Sequence, residues 1–201
     1  MSFSLSFHEV AAKAVEALAS LRVDWMLIGA IPVAAWGQPR ATTDADFASS
    51  LDFLDSEDLD RAMVSRGFQK VQGPIEITQK RLVLSKYWEP KVSIGIDVFY
   101  TTGYVTGEFQ RKALERKKSV TFDDRSYPVA SAEDLILYKV LAYRMKDLDD
   151  VGTVLENRFR SLDWKHIRDW SERLGILVLM KDVVTQYLQE RGWPVTMPWG
   201  E

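Results

Sequence analysis

Cysteine is missing from all 201 residues of the chain. Its absence excludes disulfide scaffolds, zinc–thiolate sites, iron–sulfur clusters and cysteine nucleophiles together. Histidine is nearly missing too, with only two, His8 and His166, too few for a multi-histidine metal centre. Any metal chemistry is therefore left to carboxylate oxygens, which select hard cations such as magnesium, manganese or calcium. No apolar run approaches the roughly 20 residues of a membrane span. Residues 1–10 have no basic stretch ahead of an apolar one, so no signal peptide is expected. A cytoplasmic protein with no membrane partner is the resulting expectation. A large charge of one sign is lacking as well, since 26 Lys+Arg stand against 29 Asp+Glu for a net −3. Such a chain is no general nucleic-acid coat, although a local basic patch is compatible with it.

What is present suffices for a core. The chain is 46% apolar and carries seven tryptophans, which fits one domain or two small ones. Apolar spacing predicts a helix over 6–20, with Val10, Ala14, Leu18 and Leu21 on one stripe. The run Asp24–Ile28 reads as a buried strand stopping at Gly29, followed by a short helix from Pro32 to Trp36 that ends at Gly37. A second strand is expected over 44–48. A helix over 56–66, capped by Ser56 and closed by Gly67, follows. Gly73-Pro74 reads as a turn. Strands are expected from Arg81 to Tyr87 and from Val92 to Tyr100, a helix over 106–117, and extended pieces at 119–122 and 127–129. From Ser131 the pattern is helical, over about 131–147, 163–173 and 176–190, with Ser131–Asp134 as a capping box and Pro194 and Pro198 near the end. The expected fold class is α+β with an α/β core, a mixed sheet with flanking helices over 1–129 and a helical C-terminal subdomain over 130–201 packed on it.

Asp44 and Asp46 lie two apart on a predicted strand, so both carboxylates share one face. Like charges side by side repel unless a cation sits between them. Asp97 interrupts the apolar strand Ile94–Phe99, where an unpaired charge is unfavourable. If the two strands are neighbours, three carboxylates converge on a hard-cation site suited to phosphoryl transfer. Taken alone, an Asp-x-Asp pair is most often a solvated strand end.

The surrounding residues add a resemblance. Ile28-Gly29-Ala30, Ala34-Ala35-Trp36-Gly37 and Pro39-Arg40-Ala41-Thr42-Thr43-Asp44-Ala45-Asp46 resemble the signature of the nucleotidyltransferase (polymerase-β-like) superfamily, in particular its minimal and AbiEii-type toxin branch. In the segment Ser131–Asp150, Lys139, Arg144, Asp147 and Asp150 resemble that branch's helical motif in order. The resemblance implies a nucleotidyltransferase-fold mixed sheet and a transfer of a nucleoside monophosphate from an NTP to an acceptor hydroxyl. It implies that Asp44, Asp46 and Asp97 are catalytic and bind Mg²⁺ or Mn²⁺, with Asp97 also helping to take the acceptor proton. It implies nucleotide contacts from Gly29, Ala30, Arg40, Thr42, Lys139, Arg144, Asp147 and Asp150, with Lys139 on the β/γ-phosphates. The family has glycine or serine where this chain has Ala30, so a hydroxyl contact is absent there. A glycine turn feeding a helix N-terminus suits phosphate on physical grounds as well. The acceptor implied is tRNA, a protein or a small molecule, with an antitoxin protein as a further partner if the toxin resemblance holds. The alternative is a degenerate member of the fold that binds a nucleotide or partner without catalysis.

If residues 131–147 continue as one helix, Lys139, Tyr143, Lys146 and Asp150 share a stripe, and Leu137, Tyr138, Leu141, Met145 and Leu148 form the opposite, core-facing side. Arg111, Lys112, Arg116, Lys117 and Lys118 form a basic cluster that reads either as a phosphate-contacting patch or, more commonly, as a solvated face. Trp164 and Trp170 read as packing residues and His166 as a surface or partner-contact residue. Tyr87, Trp88 and Tyr100 read either as residues that stack on a base or, more commonly, as core packing.

Overall fold

A computed structural model describes residues 5–77, 82–122 and 124–200. The order is α1 (Leu5–Ser20), β1 (Trp25–Leu27), α2 (Ala30–Trp36), β2 (Asp44–Asp52), α3 (Ser56–Val64), β3 (Gln69–Ile77), β4 (Leu82–Glu89), β5 (Ile94–Thr101), α4 (Val105–Arg116), β6 (Lys118–Phe122), β7 (Arg125–Val129), α5 (Ala132–Ala142), α6 (Met145–Arg158), α7 (Trp164–Arg173) and α8 (Leu177–Glu190). The strands form one mixed sheet in the order β3-β4-β5-β2-β1-β7-β6. In it β2 runs parallel to β5 and antiparallel to β1. The expected α+β class with a mixed sheet and flanking helices is observed.

Strand alternation sorts the sheet's side chains between two cores. One face, with Ala45, Phe47, Ile96 and Val98, packs on Val10, Ala14, Leu18, Leu59 and Met63 of α1 and α3. The other, with Met26, Ala48, Leu84 and Phe99, packs on Phe109 of α4 and on Leu135, Val151, Ile167 and Val184 of α5 to α8. Asp44 and Asp46 alternate with Ala45 and Phe47, so they lie on the second face. The helical C-terminal stretch thus covers the same side of the sheet as the acids and shares a core with the strands beneath them.

Four expectations are corrected. Gly73-Pro74 is no turn but part of β3, with a register shift against β4 between Gln72 and Ile75. β3 is an edge strand, the place where proline is tolerated because its missing N–H faces no partner. Ser56 is the first residue of α3 rather than its cap. A 3₁₀ turn over Phe53–Asp55 precedes it, and Asp52 accepts from the Leu54 N–H there. The single helix over 131–147 is two. Tyr143 takes a left-handed conformation (φ 51°) after α5, and Arg144 is the extended N-cap residue before α6. Met145, expected in the core, is 77% exposed because the break turns it outward, whereas Leu137 and Leu141 are buried. The expected start of a strand at Arg81 lies outside the described residues. Among the described residues no helix is long and apolar enough to cross a membrane.

Lys112, Arg116 and Lys117 of the basic cluster are held in ion pairs. Lys112 pairs with Glu115, Arg116 with Glu133 and Asp134, and Lys117 with Asp24. His166, expected at the surface, is mostly covered. Its Nε2 lies 2.7 Å from Oδ1 of fully buried Asp134, which ties α7 to α5. Trp170 packs at a tilt against Phe109 and Trp164 against Phe159, a packing role as expected. Tyr87 and Tyr100 are buried, and their hydroxyls donate to Asp60 and Ser85.

Candidate active site

Strand register brings the acids together. β2 and β5 are parallel neighbours in which Asp46 faces Asp97 and Asp44 faces Gly95. Two glycines make the room. A Cβ at Gly29 would lie 1.8 Å from Asp46 Oδ2, and one at Gly95 would lie 2.4 Å from Asp44 Oδ1. The Asp46 carboxylate therefore rests against the turn between β1 and α2, and any larger residue at 29 would displace it. Thr42 braces the strand's start, its hydroxyl donating to the Asp44 carbonyl (2.9 Å) and accepting from the Asp44 N–H (3.2 Å). Ala30 is buried as the first residue of α2.

The electrostatics are those of crowded anions. Burial, then the charge of Asp97, lifts Asp46 from 3.8 to about 6, with Lys139 opposing and Asp44 adding to the rise. Burial also raises Asp97 above the usual carboxylate range, against the pull of Lys86, and the Asp44 charge adds to it. Lys86 sits across from Asp97 in the β4–β5 register, with Nζ 2.5 Å from Asp97 Oδ2. Asp44 and Asp46 form no ion pair among the described residues.

The break at Tyr143 assembles a second group beside the first. Lys139, on α5, is buried and donates to Asp147 (3.0 Å) and Asp150 (2.7 Å) of α6. Arg144 donates to both oxygens of Asp147 (2.6 and 3.2 Å), and Arg40 to both oxygens of Asp150 (2.7 and 3.0 Å). Burial alone would raise both aspartates, but these hydrogen bonds and charges outweigh it and hold Asp147 and Asp150 below the usual range. The predicted stripe joining Tyr143 and Lys146 to Lys139 does not exist. Lys139, Asp147 and Asp150 meet because α6 folds back on α5. Cations and acids alternate from Arg40 through Asp150, Lys139 and Asp147 to Arg144, and the Asp46 and Asp97 charges in turn act on Arg144.

Both groups open on one cleft of about 280 Å³. Asp46, Asp97, Lys86, Lys139 and Arg144 line one part, and Ile77, Leu82, Leu84, Phe99 and Tyr138 line an apolar part. Lys86 and the apolar wall are the cleft residues missed from the sequence. The signal was available in Leu82-Val83-Leu84-Ser85-Lys86, where alternation places a lysine on the same face as two core leucines.

The donor chemistry fits a hard cation only in part. Asp44 and Asp46 offer unpaired carboxylates on one strand face, and the crowding that lifts Asp46 is what a cation would relieve. Asp97 is engaged by Lys86, and among the described residues no group of three or more His, Asp or Glu side chains is placed to hold a metal ion.

Solved structures share this fold. The chain aligns over 94% of its length with the solution structure of the antibiotic-resistance factor ANT(2'')-Ia, covering 98% of that protein at 10% identity and a TM-score of 0.54. The chain has the nucleotidyltransferase fold. A crystal structure of ANT(2'')-Ia in complex with adenylyl-2''-tobramycin aligns over 84% of this chain and 97% of its own, at 11% identity and a TM-score of 0.51. An antigenic nucleotidyltransferase-like protein from Paracoccidioides brasiliensis aligns over 90% and 91%, at 16% identity and a TM-score of 0.49. The sequence matches no protein-family model and no curated protein.

Proposed function

We propose that the protein is a divalent-cation-dependent nucleotidyltransferase that moves a nucleoside monophosphate from an NTP to an acceptor hydroxyl and releases pyrophosphate. The observation that carries this reading is the register of Asp46 against Asp97, both of which line the cleft, with Asp44 two residues before Asp46 on the same face of β2.

Asp44 and Asp46 are the residues that would hold Mg²⁺ or Mn²⁺, and the ion would supply charge stabilisation to the phosphate being transferred. The chain's own groups perform the rest. Arg144, whose side chain is 61% exposed, reaches the β/γ-phosphates from the rim of the cleft. Lys139 spends two of its three N–H donors on Asp147 and Asp150, leaving one for the triphosphate. Arg40 and Asp150 hold Lys139 in place, and Gly29 lets the backbone come close to phosphate. Asp97 has Oδ2 taken by Lys86, so its Oδ1 accepts the acceptor proton. The acceptor oxygen then bonds to the α-phosphorus as the bond to the pyrophosphate oxygen breaks.

The cleft carries three acids (Asp46, Asp97, Asp147) against three bases (Lys86, Lys139, Arg144). That balance, beside an apolar wall, favours a small acceptor with an apolar part over a polycation. Transfer onto tRNA by an AbiEii-like toxin restrained by an antitoxin protein is the rival acceptor reading, supported by the order of Lys139, Arg144, Asp147 and Asp150. Incubation with each α-³²P-labelled NTP and, separately, total RNA, total protein and a small-molecule pool tests both. Label on small molecules supports the first reading and label on tRNA the second. Failure to label anything, together with an NTP-dependent rise in melting temperature, supports the non-catalytic binder.

A further inference from the structure

We infer that Lys86 takes the place of a second metal ion beside Asp97, so that this site binds one divalent cation, on Asp44 and Asp46. The inference rests on the proposed nucleotidyltransferase reading and deepens it.

Three observations carry it. Lys86 and Asp97 are direct cross-strand partners, so the backbone register of β4 and β5 fixes their meeting rather than a chance approach of two long surface chains. The pair is part-buried, with the lysine side chain 38% and the aspartate 18% exposed, and Nζ lies at charge-assisted hydrogen-bond distance. Leu82 and Leu84 precede Lys86 on its face and belong to the core, which gives the strand no freedom to turn the ammonium away without exposing them. Asp44 and Asp46, by contrast, form no ion pair among the described residues. The site is thus divided into two free carboxylates on β2 and one neutralised carboxylate on β5.

An ammonium does for Asp97 part of what a metal would do. It supplies a positive charge and fixes one carboxylate oxygen, but its three N–H donors cannot polarise an oxygen as a Lewis acid does. Lys86 is accordingly a positioning residue. It orients Asp97 and leaves the Oδ1 atom as the proton acceptor, while one cation serves Asp44 and Asp46.

Mn²⁺ alone is the probe, titrated into the full chain while the signal of the free ion is followed by electron paramagnetic resonance. The wild type is expected to bind one Mn²⁺ per chain. Lys86→Met, which frees Asp97, is expected to bind two, or to bind the first at least tenfold more tightly, and Lys86→Arg is expected to return to one at wild-type affinity. The Lys86→Gln variant repeats the measurement if Lys86→Met does not fold, and the wild-type stoichiometry needs no variant. Two Mn²⁺ on the wild type, or one on Lys86→Met at unchanged affinity, overturns the role of Lys86 and leaves the nucleotidyltransferase reading standing. No Mn²⁺ on any of these proteins overturns both.

Discussion

Replacing Asp46 by asparagine should make the metal-free protein more stable at neutral pH. Burial and the neighbouring Asp97 lift this carboxyl from 3.8 to about 6. A carboxyl whose folded value is raised stabilises the fold fully below its unfolded value, and that stability is lost as pH rises through the folded value. Ionised Asp46 therefore weighs against folding at pH 8. The rise corresponds to about 3 kcal/mol at roughly 1.4 kcal/mol per pH unit. Asparagine keeps the volume against Gly29 and discards the charge. Urea denaturation in EDTA at pH 8 should place Asp46→Asn above the wild type by up to about 3 kcal/mol, falling to about half that at pH 5. Saturating Mg²⁺ should stabilise the wild type and not the variant, narrowing the gap. A variant less stable than the wild type at pH 8, or a gap that ignores pH, would refute the claim that Asp46 is a crowded, partly desolvated anion.

Other outcomes follow from the same geometry. Lys139→Met leaves Asp147 and Asp150 with only their outer arginine partners, and loss of a buried partner of this kind destabilises by about 3 kcal/mol. Scanning calorimetry should record a fall in Tm of about 10 °C for a chain of this size. Gly29→Ala should abolish NTP-dependent stabilisation, because its methyl group would occupy the Asp46 Oδ2 position; a retained shift in a thermal-melt assay would count against the contact. Mg²⁺ with an NTP at 100 times its Kd should stabilise the wild type by about 2.7 kcal/mol, and no shift with any of the four NTPs would remove the nucleotide site.

Much of the site was legible because the signals were local. The strand–Gly29–helix unit and the period-two spacing of Asp44 and Asp46 need only a few consecutive residues, and Asp97 betrays itself as an acid in an apolar strand. The misses were non-local or lacked the usual marker. Nothing at Tyr143 announces a helix break, since glycine or asparagine is the ordinary left-handed residue, and the apolar spacing runs on past it. Helical spacing puts Lys139 and Asp150 on one stripe with Tyr143 and Lys146, whereas the meeting of Lys139 with Asp147 and Asp150 depends on α6 folding back. β3 was hidden because Gly73-Pro74 reads as punctuation until the strand is known to lie at an edge. The pairing of Lys86 with Asp97 is a fact of register between strands, which alternation within either strand cannot supply.

The alternating line of charge from Arg40 to Arg144 has a consequence for descent. Its five members come from a loop, two helices and the two-residue link between those helices, and each balances the next. A lone substitution at one position strands its neighbour, so lineages should change these positions in concert. Aligned homologues lacking lysine at 139 should also lack the acid at 150 and the arginine at 40, and sequences that keep one keep all.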